Sequence, residues 1–222
     1  MSNEQTADLK KNQTGDMIKN ALILFVITLI AGVLLGLVYQ ITKQPIADQN
    51  ARKVEEANKA VFATASSFGQ DNIVDAAAAQ SVSSSSADLA GVTIDSVIEA
   101  YDASGNVIGY IVQITSKGYN DEIKFSMGIT ADGVLNGISL ISISETPGLG
   151  MNAEKVLVPQ YTVDGGLDAT VTYKVVKDGT GKTSATDTSI EAISGATITS
   201  KAVTNGVDAG LLYYTNVLKG GQ

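Results

Sequence analysis

From Ala21 to Tyr39 nineteen residues follow one another without a charge, ALILFVITLIAGVLLGLVY, between Lys19 and Lys43. At ~1.5 Å per residue a helix of that length covers roughly the ~30 Å hydrocarbon core of a bilayer. A helix buried in a protein core is seldom apolar on every face. The remaining rival is a cleaved signal peptide. For that the run is long, and LVYQITKQP offers no small-x-small cleavage site. One retained membrane span is therefore expected over residues 19–43, after a short, polar, loosely ordered cytoplasmic tail at 1–18. Lys10, Lys11 and Lys19 precede the run and Lys43, Arg52 and Lys53 follow it, so the positive-inside count is nearly even. Tail inside and large domain outside is adopted as the expected arrangement. Gly32 and Gly36 have the G-x-x-x-G spacing that lets a partner helix approach, a spacing frequent in spans.

The residue types that are missing narrow the chemistry. The 222 residues include no cysteine and no histidine. Thiolate zinc sites, iron–sulfur clusters, His- or Cys-ligated haem and Ser–His or Cys–His catalysis are all excluded. So is covalent attachment of a cofactor through sulfur or imidazole. No disulfide can form, so cysteine usage gives no redox compartment. A formal charge of −8 and the lack of a dense basic patch argue against a nucleic-acid partner. Carboxylates, hydroxyls, backbone amides or a bound cofactor must carry whatever chemistry occurs.

Beyond the span, Pro45 is expected to break the helix. Ile46, Asn50, Val54, Ala57, Val61 and Ala65 then recur at helical spacing among charged residues. This predicts an amphipathic stalk helix over 44–66, packed on the domain or on a partner, or else simply a solvated connector. Residues 67–90 are rich in Ala and Ser and read as a surface insertion, partly mobile. From Gly91 onward the pattern turns to strands. GVTIDSVIEAYD and VIGYIVQITS form a hairpin around Ala103–Asn106. EIKFSMGIT and VLNGISLISIS form a second around Asp132-Gly133, both of whose residues tolerate positive φ. A further strand is expected at ATVTYKVV, residues 169–176. Val203, Val207, Leu211, Tyr214 and Leu218 mark a final helix. The domain over 91–222 is thus expected to be α+β, an antiparallel sheet flanked by helices.

Two segments carry residue types that serve neither core nor turn alone. Ser144-Glu145-Thr146-Pro147-Gly148-Leu149-Gly150 has the Pro-Gly of a type II turn and a second glycine that lets the backbone approach something flat. Taken alone, it is a tight loop after a strand. Glu191-Ala192-Ile193-Ser194-Gly195-Ala196-Thr197-Ile198-Thr199-Ser200 leads directly into the final helix. Small residues around a hydroxyl at a helix start suit a phosphate, which free N–H groups and the helix dipole would hold. The plainer reading is an N-cap by Thr197 or Thr199.

ETPGLG (145–150) and SGAT (194–197), in this order behind an N-terminal span, resemble the FMN-binding domain of the Rnf complex G subunit. The same domain occurs in the C subunit of the sodium-pumping NADH:quinone oxidoreductase. The resemblance covers nearly the whole chain. It implies that a flavin transferase, using FAD, places FMN on Thr197 as a phosphoester. It implies that Ser194, Gly195 and Ala196 make room for the phosphate, and that Glu145, Thr146, Leu149 and Gly150 flank the isoalloxazine with Tyr119 near it. No catalytic residue and no metal are expected. The family's Asp-x-x-Ser-Gly-Ala-Thr begins here with Glu191, its Gly-Tyr-Gly-Gly is Gly118-Tyr119-Asn120-Asp121, and its histidine before ETPGLG is Ile143.

The implied protein is an electron-carrier subunit of a prokaryotic cell-membrane complex, single-pass, with the FMN domain outside the cytoplasm. Its partners would be membrane lipid and the other subunits, which couple electron flow between ferredoxin and NAD to Na⁺ or H⁺ transport. The alternatives are the C subunit of the quinone-reducing complex, a freestanding flavinylated domain, and a tethered binding module with no cofactor.

Overall fold

The computed structural model describes residues 3–70, 72–179 and 186–219. The chain divides into two units, Met1–Ala51 and Arg52–Gln222. The first unit is helical. Helix α1 runs Asn3–Val61 and so continues into the second unit. Its apolar run is long enough to cross a membrane, and its side chains, Leu24 and Leu35 among them, are exposed. Two expectations need correction here. The segment read as a loose tail is helical from Asn3, and Pro45 lies inside the helix without ending it. Proline removes one backbone donor, to the carbonyl four residues back. Side-chain bonds bracket the gap: Thr42 Oγ1 donates to the Val38 carbonyl at 2.9 Å, and Gln44 Nε2 donates to Asp48 Oδ1 at 2.9 Å.

The second unit is built on one antiparallel sheet in chain order: β1 (Ser67–Phe68), β2 (Val92–Tyr101), β3 (Val107–Lys117), β4 (Glu122–Thr130), β5 (Val134–Ser142) and β6 (Leu167–Asp168). Alternation along the strands gives the sheet two buried faces. On β4, Ile123, Phe125, Met127 and Ile129 face the main core, joined from β3 by Tyr110, Val112 and Ile114. On the opposite face Ile111 packs with Val61 and Phe62, at the end of α1 and just beyond it. Gly128 makes this possible, because a Cβ there would stand 2.6 Å from the Val61 carbonyl oxygen. Asn58 Oδ1 accepts the Ser126 hydroxyl at 2.7 Å on the same face. The stalk thus packs on the domain through its last turns, whereas Ile46 remains exposed.

The segment read as a mobile insertion is part of the fold. Helix α2 (Ala76–Ser83) is capped by Asp75, whose Oδ1 accepts the Ala77 and Ala78 N–H groups. Ala79, Val82 and Leu89 enter the core. Few large side chains suffice there because alanine helices approach closely. Both hairpins form as expected. At the second, only Gly133 takes positive φ, so Asp132 does not use the freedom ascribed to it. The strand expected at 169–176 shrinks to β7 (Lys174–Val176), parallel to β8 (Ser189–Glu191). Asp168 Oδ1 takes the Thr170 N–H and hydroxyl into a turn, which ends β6 and prevents a longer strand.

Two single-turn helices, α3 (Ala153–Val156) and α4 (Val158–Tyr161), lead from the loop after β5 back to β6. Helix α5 (Thr197–Tyr213), followed by a wider turn at Tyr214–Leu218, covers the main face of the sheet. The five apolar positions expected for the final helix are all buried, Val203, Val207 and Leu211 in α5 and Tyr214 and Leu218 in the wider turn. The architecture is α+β: an N-terminal apolar helix, then an antiparallel sheet with helices.

Asp208 on α5 is partly buried, and its Oδ1 accepts the Tyr173 N–H at 2.8 Å. Burial pushes its carboxyl up to about 7 from 3.8, with the Tyr173 N–H pulling partly back. Between those values the unfolded chain has released a proton that the folded chain still holds. The stabilisation is complete below the lower value and is lost as pH rises through the upper one. Asp208→Asn keeps an acceptor and has no proton to lose. Thermal melts over roughly pH 4 to 8 should show the unmutated protein losing Tm relative to Asp208→Asn, with the difference levelling off above the upper value. A difference that stays constant across that window would remove Asp208 as its source.

Candidate cofactor-binding site

The site is assembled where strands end. The turn Gly118–Asp121 joins β3 to β4 and is closed by the Gly118 N–H donating to the Asp121 carbonyl at 2.9 Å. The loop 144–150 leaves β5 beside it. Between them lies Glu145, only 6 % exposed. Its Oε1 accepts the Tyr119 N–H at 2.9 Å and the Asn120 N–H at 3.1 Å, and its Oε2 accepts the Thr199 hydroxyl at 2.8 Å. Asn120 Nδ2 also donates to the Ser144 carbonyl at 2.9 Å. Gly118 is needed for this approach, since a Cβ there would stand 2.3 Å from Glu145 Oε1. The described ion pairs are Lys59–Glu55 and Lys124–Glu122, so among the described residues N–H and O–H donors hold Glu145, not a cation.

The ETPGLG loop makes the expected type II turn. Gly148 has φ +77°, and the Leu149 N–H donates to the Thr146 carbonyl at 3.1 Å. Gly150 then passes against the clamp: its missing Cβ would be 2.7 Å from both Glu145 Cβ and Thr199 Oγ1.

On the other side, Ser194 and Gly195 turn the chain into α5. Gly195 has φ +74°, and the Ala196 N–H donates to the Ile193 carbonyl at 2.9 Å. No side chain caps the helix. The plainer expectation of an N-cap by Thr197 or Thr199 is not met: Thr197 is the first helical residue, and Thr199 donates to Glu145. The hydroxyls of this segment divide sharply. Ser200 Oγ accepts the Ile193 N–H at 3.0 Å and donates to the Ala196 carbonyl at 2.9 Å. Thr199 and Ser200 are buried and bonded; Thr197 is half-buried and its hydroxyl makes no hydrogen bond among the described residues.

These walls enclose a cavity of about 490 Å³, lined by Tyr119, Glu145, Thr146, Leu149, Gly150 and the helix start Gly195–Thr199. All the site residues singled out from sequence line it except Ser194, which is exposed on the turn behind. Ile198 and Thr199 also line it and were missed. Thr199 is a polar residue at the helix start, a signal that could have found it, whereas nothing in the sequence marks Ile198. Tyr119 (69 % exposed), Ile198 (54 %) and Leu149 (39 %) give the lining exposed apolar surface. Volume and lining are those of a pocket for a flat, mostly apolar ligand with a few polar anchors. An uncapped helix start beside a free hydroxyl suits the phosphate end. The residues fit FMN.

Closing the site by one methyl group checks its tightness. Gly150→Ala should destabilise the protein by about 1–3 kcal/mol, as overpacked contacts do, and lower its Tm accordingly. An unchanged Tm would mean that the loop is not held against Glu145 and Thr199.

Several known proteins are similar to this chain in sequence. Residues 118–212 match the FMN-binding domain family, and residues 10–61 match the RnfG N-terminal region. The chain is 36% identical, over 90% of its length and 93% of the relative's, to the G subunit of the Na⁺-translocating ferredoxin:NAD⁺ oxidoreductase complex of Acetobacterium woodii. It is 29% identical, over 85% of its length and 89% of the relative's, to the G subunit of the ion-translocating oxidoreductase complex of Methanosarcina acetivorans. Among solved structures, the C subunit of the Na⁺-translocating NADH-quinone reductase of Parabacteroides distasonis aligns at a TM-score of 0.45 and 26% identity, over 57% of this chain and 63% of that one. With an apolar N-terminal helix, an FMN-binding domain and a relative of this identity along nearly its whole length, the chain belongs to the family of Rnf complex G subunits, which are components of membrane redox complexes.

Proposed function

We propose that this chain is an electron-carrier subunit whose FMN is joined covalently to Thr197 as a phosphoester. The observation that carries this reading is the state of the hydroxyls at the start of α5. Thr199 and Ser200 are bonded and buried, while Thr197 lines the cavity with its hydroxyl unengaged among the described residues. A transferase supplied with FAD would complete the protein. The Thr197 oxygen bonds to the FMN phosphorus, the pyrophosphate bond breaks, AMP leaves with the bridging oxygen, and the hydroxyl proton passes to base. Such an acceptor needs neither cysteine nor histidine, and the chain has neither.

The chain's own residues bind and orient. The uncapped N–H groups at the start of α5, with the helix dipole, hold the phosphate, and Gly195 and Ala196 keep that corner small. Ser194 shapes the turn behind it. Leu149, Ile198 and Tyr119 shield the ring from water, and Glu145 with Thr146 and Gly150 forms the opposite wall. FMN, when bound, supplies reversible one- and two-electron transfer; the protein supplies position and electrostatics.

We assign residues 1–18 to a cytoplasmic tail, 19–43 to a single span, 44–66 to the stalk and 67–222 to an extracytoplasmic FMN domain. The last extends the boundary read from sequence, because 67–90 contributes to the sheet and core. The chain would pass electrons between its flavin and centres in neighbouring subunits, in a complex coupling electron transfer between ferredoxin and NAD to Na⁺ or H⁺ transport. The relative from Acetobacterium woodii, named for that reaction with Na⁺, supports this placement.

Intact mass of full-length protein co-expressed with a flavin transferase tests the assignment. The expected adduct is one FMN less one water, absent in Thr197→Val and present in Thr199→Val. An adduct that survives Thr197→Val contradicts the site, and no adduct on the unmutated chain contradicts the function.

A further inference from the structure

Among the described residues, Glu145 is the only charged one in the cavity lining. It is a buried carboxylate without an ion-pair partner among the described residues, and its oxygens are held by the Tyr119 and Asn120 N–H groups and the Thr199 hydroxyl. A neutral amide could keep the geometry of this fastening, with weaker bonds than a charged acceptor makes. A glutamine would offer one oxygen to the same two N–H groups and its amide to the Thr199 oxygen. What the carboxylate adds is a negative charge in a wall with little water, where charges act strongly and salt screens them weakly.

We propose that the Glu145 carboxylate sets the reduction potential of the flavin in this cavity, lowering it by opposing the charge that reduction adds. The inference rests on the FMN reading given above. Two electrons and one proton taken up by a bound isoalloxazine leave one added negative charge on it, with the electrons coming from the reductant and the proton from solvent. That charge develops in the cavity whose wall carries Glu145, so the oxidised form is favoured. The other nearby acids, Asp121 and Glu122, line a separate groove that shares Tyr119 with this cavity, and both are exposed. Glu122 also lies 4.0 Å from the Lys124 amine. Their effect is expected to be screened.

The test is a spectroelectrochemical titration of the full-length, flavinylated protein in alkaline buffer, with flavin loading checked first by intact mass. Glu145→Gln should raise the two-electron midpoint by about 30 mV or more, the equivalent of a tenfold change in the redox equilibrium. The rise should persist at high ionic strength. Thr199→Val leaves the charge and removes the hydroxyl that offsets it, so the midpoint should fall. Glu122→Gln should leave it unchanged. A purely structural role for Glu145 would move Glu145→Gln and Thr199→Val in the same direction, since both loosen the same contact.

An unmoved or lowered midpoint in flavin-loaded Glu145→Gln overturns the proposal. If that variant takes up no flavin, Thr199→Val decides: a fall supports the proposal, and no fall overturns it. Absence of flavin from the unmutated chain would instead count against the FMN assignment.

Discussion

The cavity depends on one carboxylate. Glu145 draws together the turn 118–121, its own loop 144–150 and the start of α5, which are far apart in sequence and are not joined by a strand ladder. Hydrogen bonds to a charged acceptor contribute about 1.5–3 kcal/mol each, against the cost of taking the carboxylate out of water. Loops at a sheet's end have too little apolar area to fix one another by burial. A shared acceptor with two oxygens gives them a common reference point. Gly118 and Gly150 serve the same end, because a side chain on either would occupy space the carboxylate uses.

The rest of the domain supplies rigidity behind this point. Helix α5 lies close on the sheet because Gly206 and Gly210 leave room for Phe125 and Met127; a Cβ at Gly210 would stand 2.2 Å from Met127 Cε. Its start is therefore held from two directions, by packing along its length and by Glu145 through Thr199. The same arrangement separates the hydroxyls. Thr199 and Ser200 are used up in fastening the helix start, and Thr197, two residues before Thr199, is left lining the cavity. Fold and candidate chemistry are thus determined by the same few contacts.

Much of this was legible in the residues. The apolar run, the two hairpins, the α5 face and the Pro-Gly turn each follow from a local pattern with a local cause. ETPGLG and SGAT marked the loops that meet. Local patterns failed where a distant partner decides the outcome. Pro45 is a separate case: the helix runs through it although it removes one donor, and the side-chain bonds of Thr42 and Gln44 beside it go to other acceptors. Residues 67–90 look like a polar insertion, yet Ala79, Val82 and Leu89 find places in a core built by later strands. The strand expected at 169–176 is cut short because Asp168 turns the chain, while the Tyr173 N–H goes to Asp208 on α5. The role of Glu145 was half legible: its place in the motif was plain, but its three donors, and the lack of an ion-pair partner among the described residues, could be read only in three dimensions.

The central claim is that this clamp leaves Thr197 as the hydroxyl that carries the flavin: Thr199 and Ser200 are bonded, and Ser194, though exposed, lies outside the cavity lining that Thr197 shares. Tandem mass spectrometry of the peptide containing Ser194–Ser200, released from the full-length co-expressed protein, tests it without any substitution. The account predicts fragment ions that place the whole FMN mass on Thr197. Fragments that place it on Ser194, Thr199 or Ser200 would contradict it.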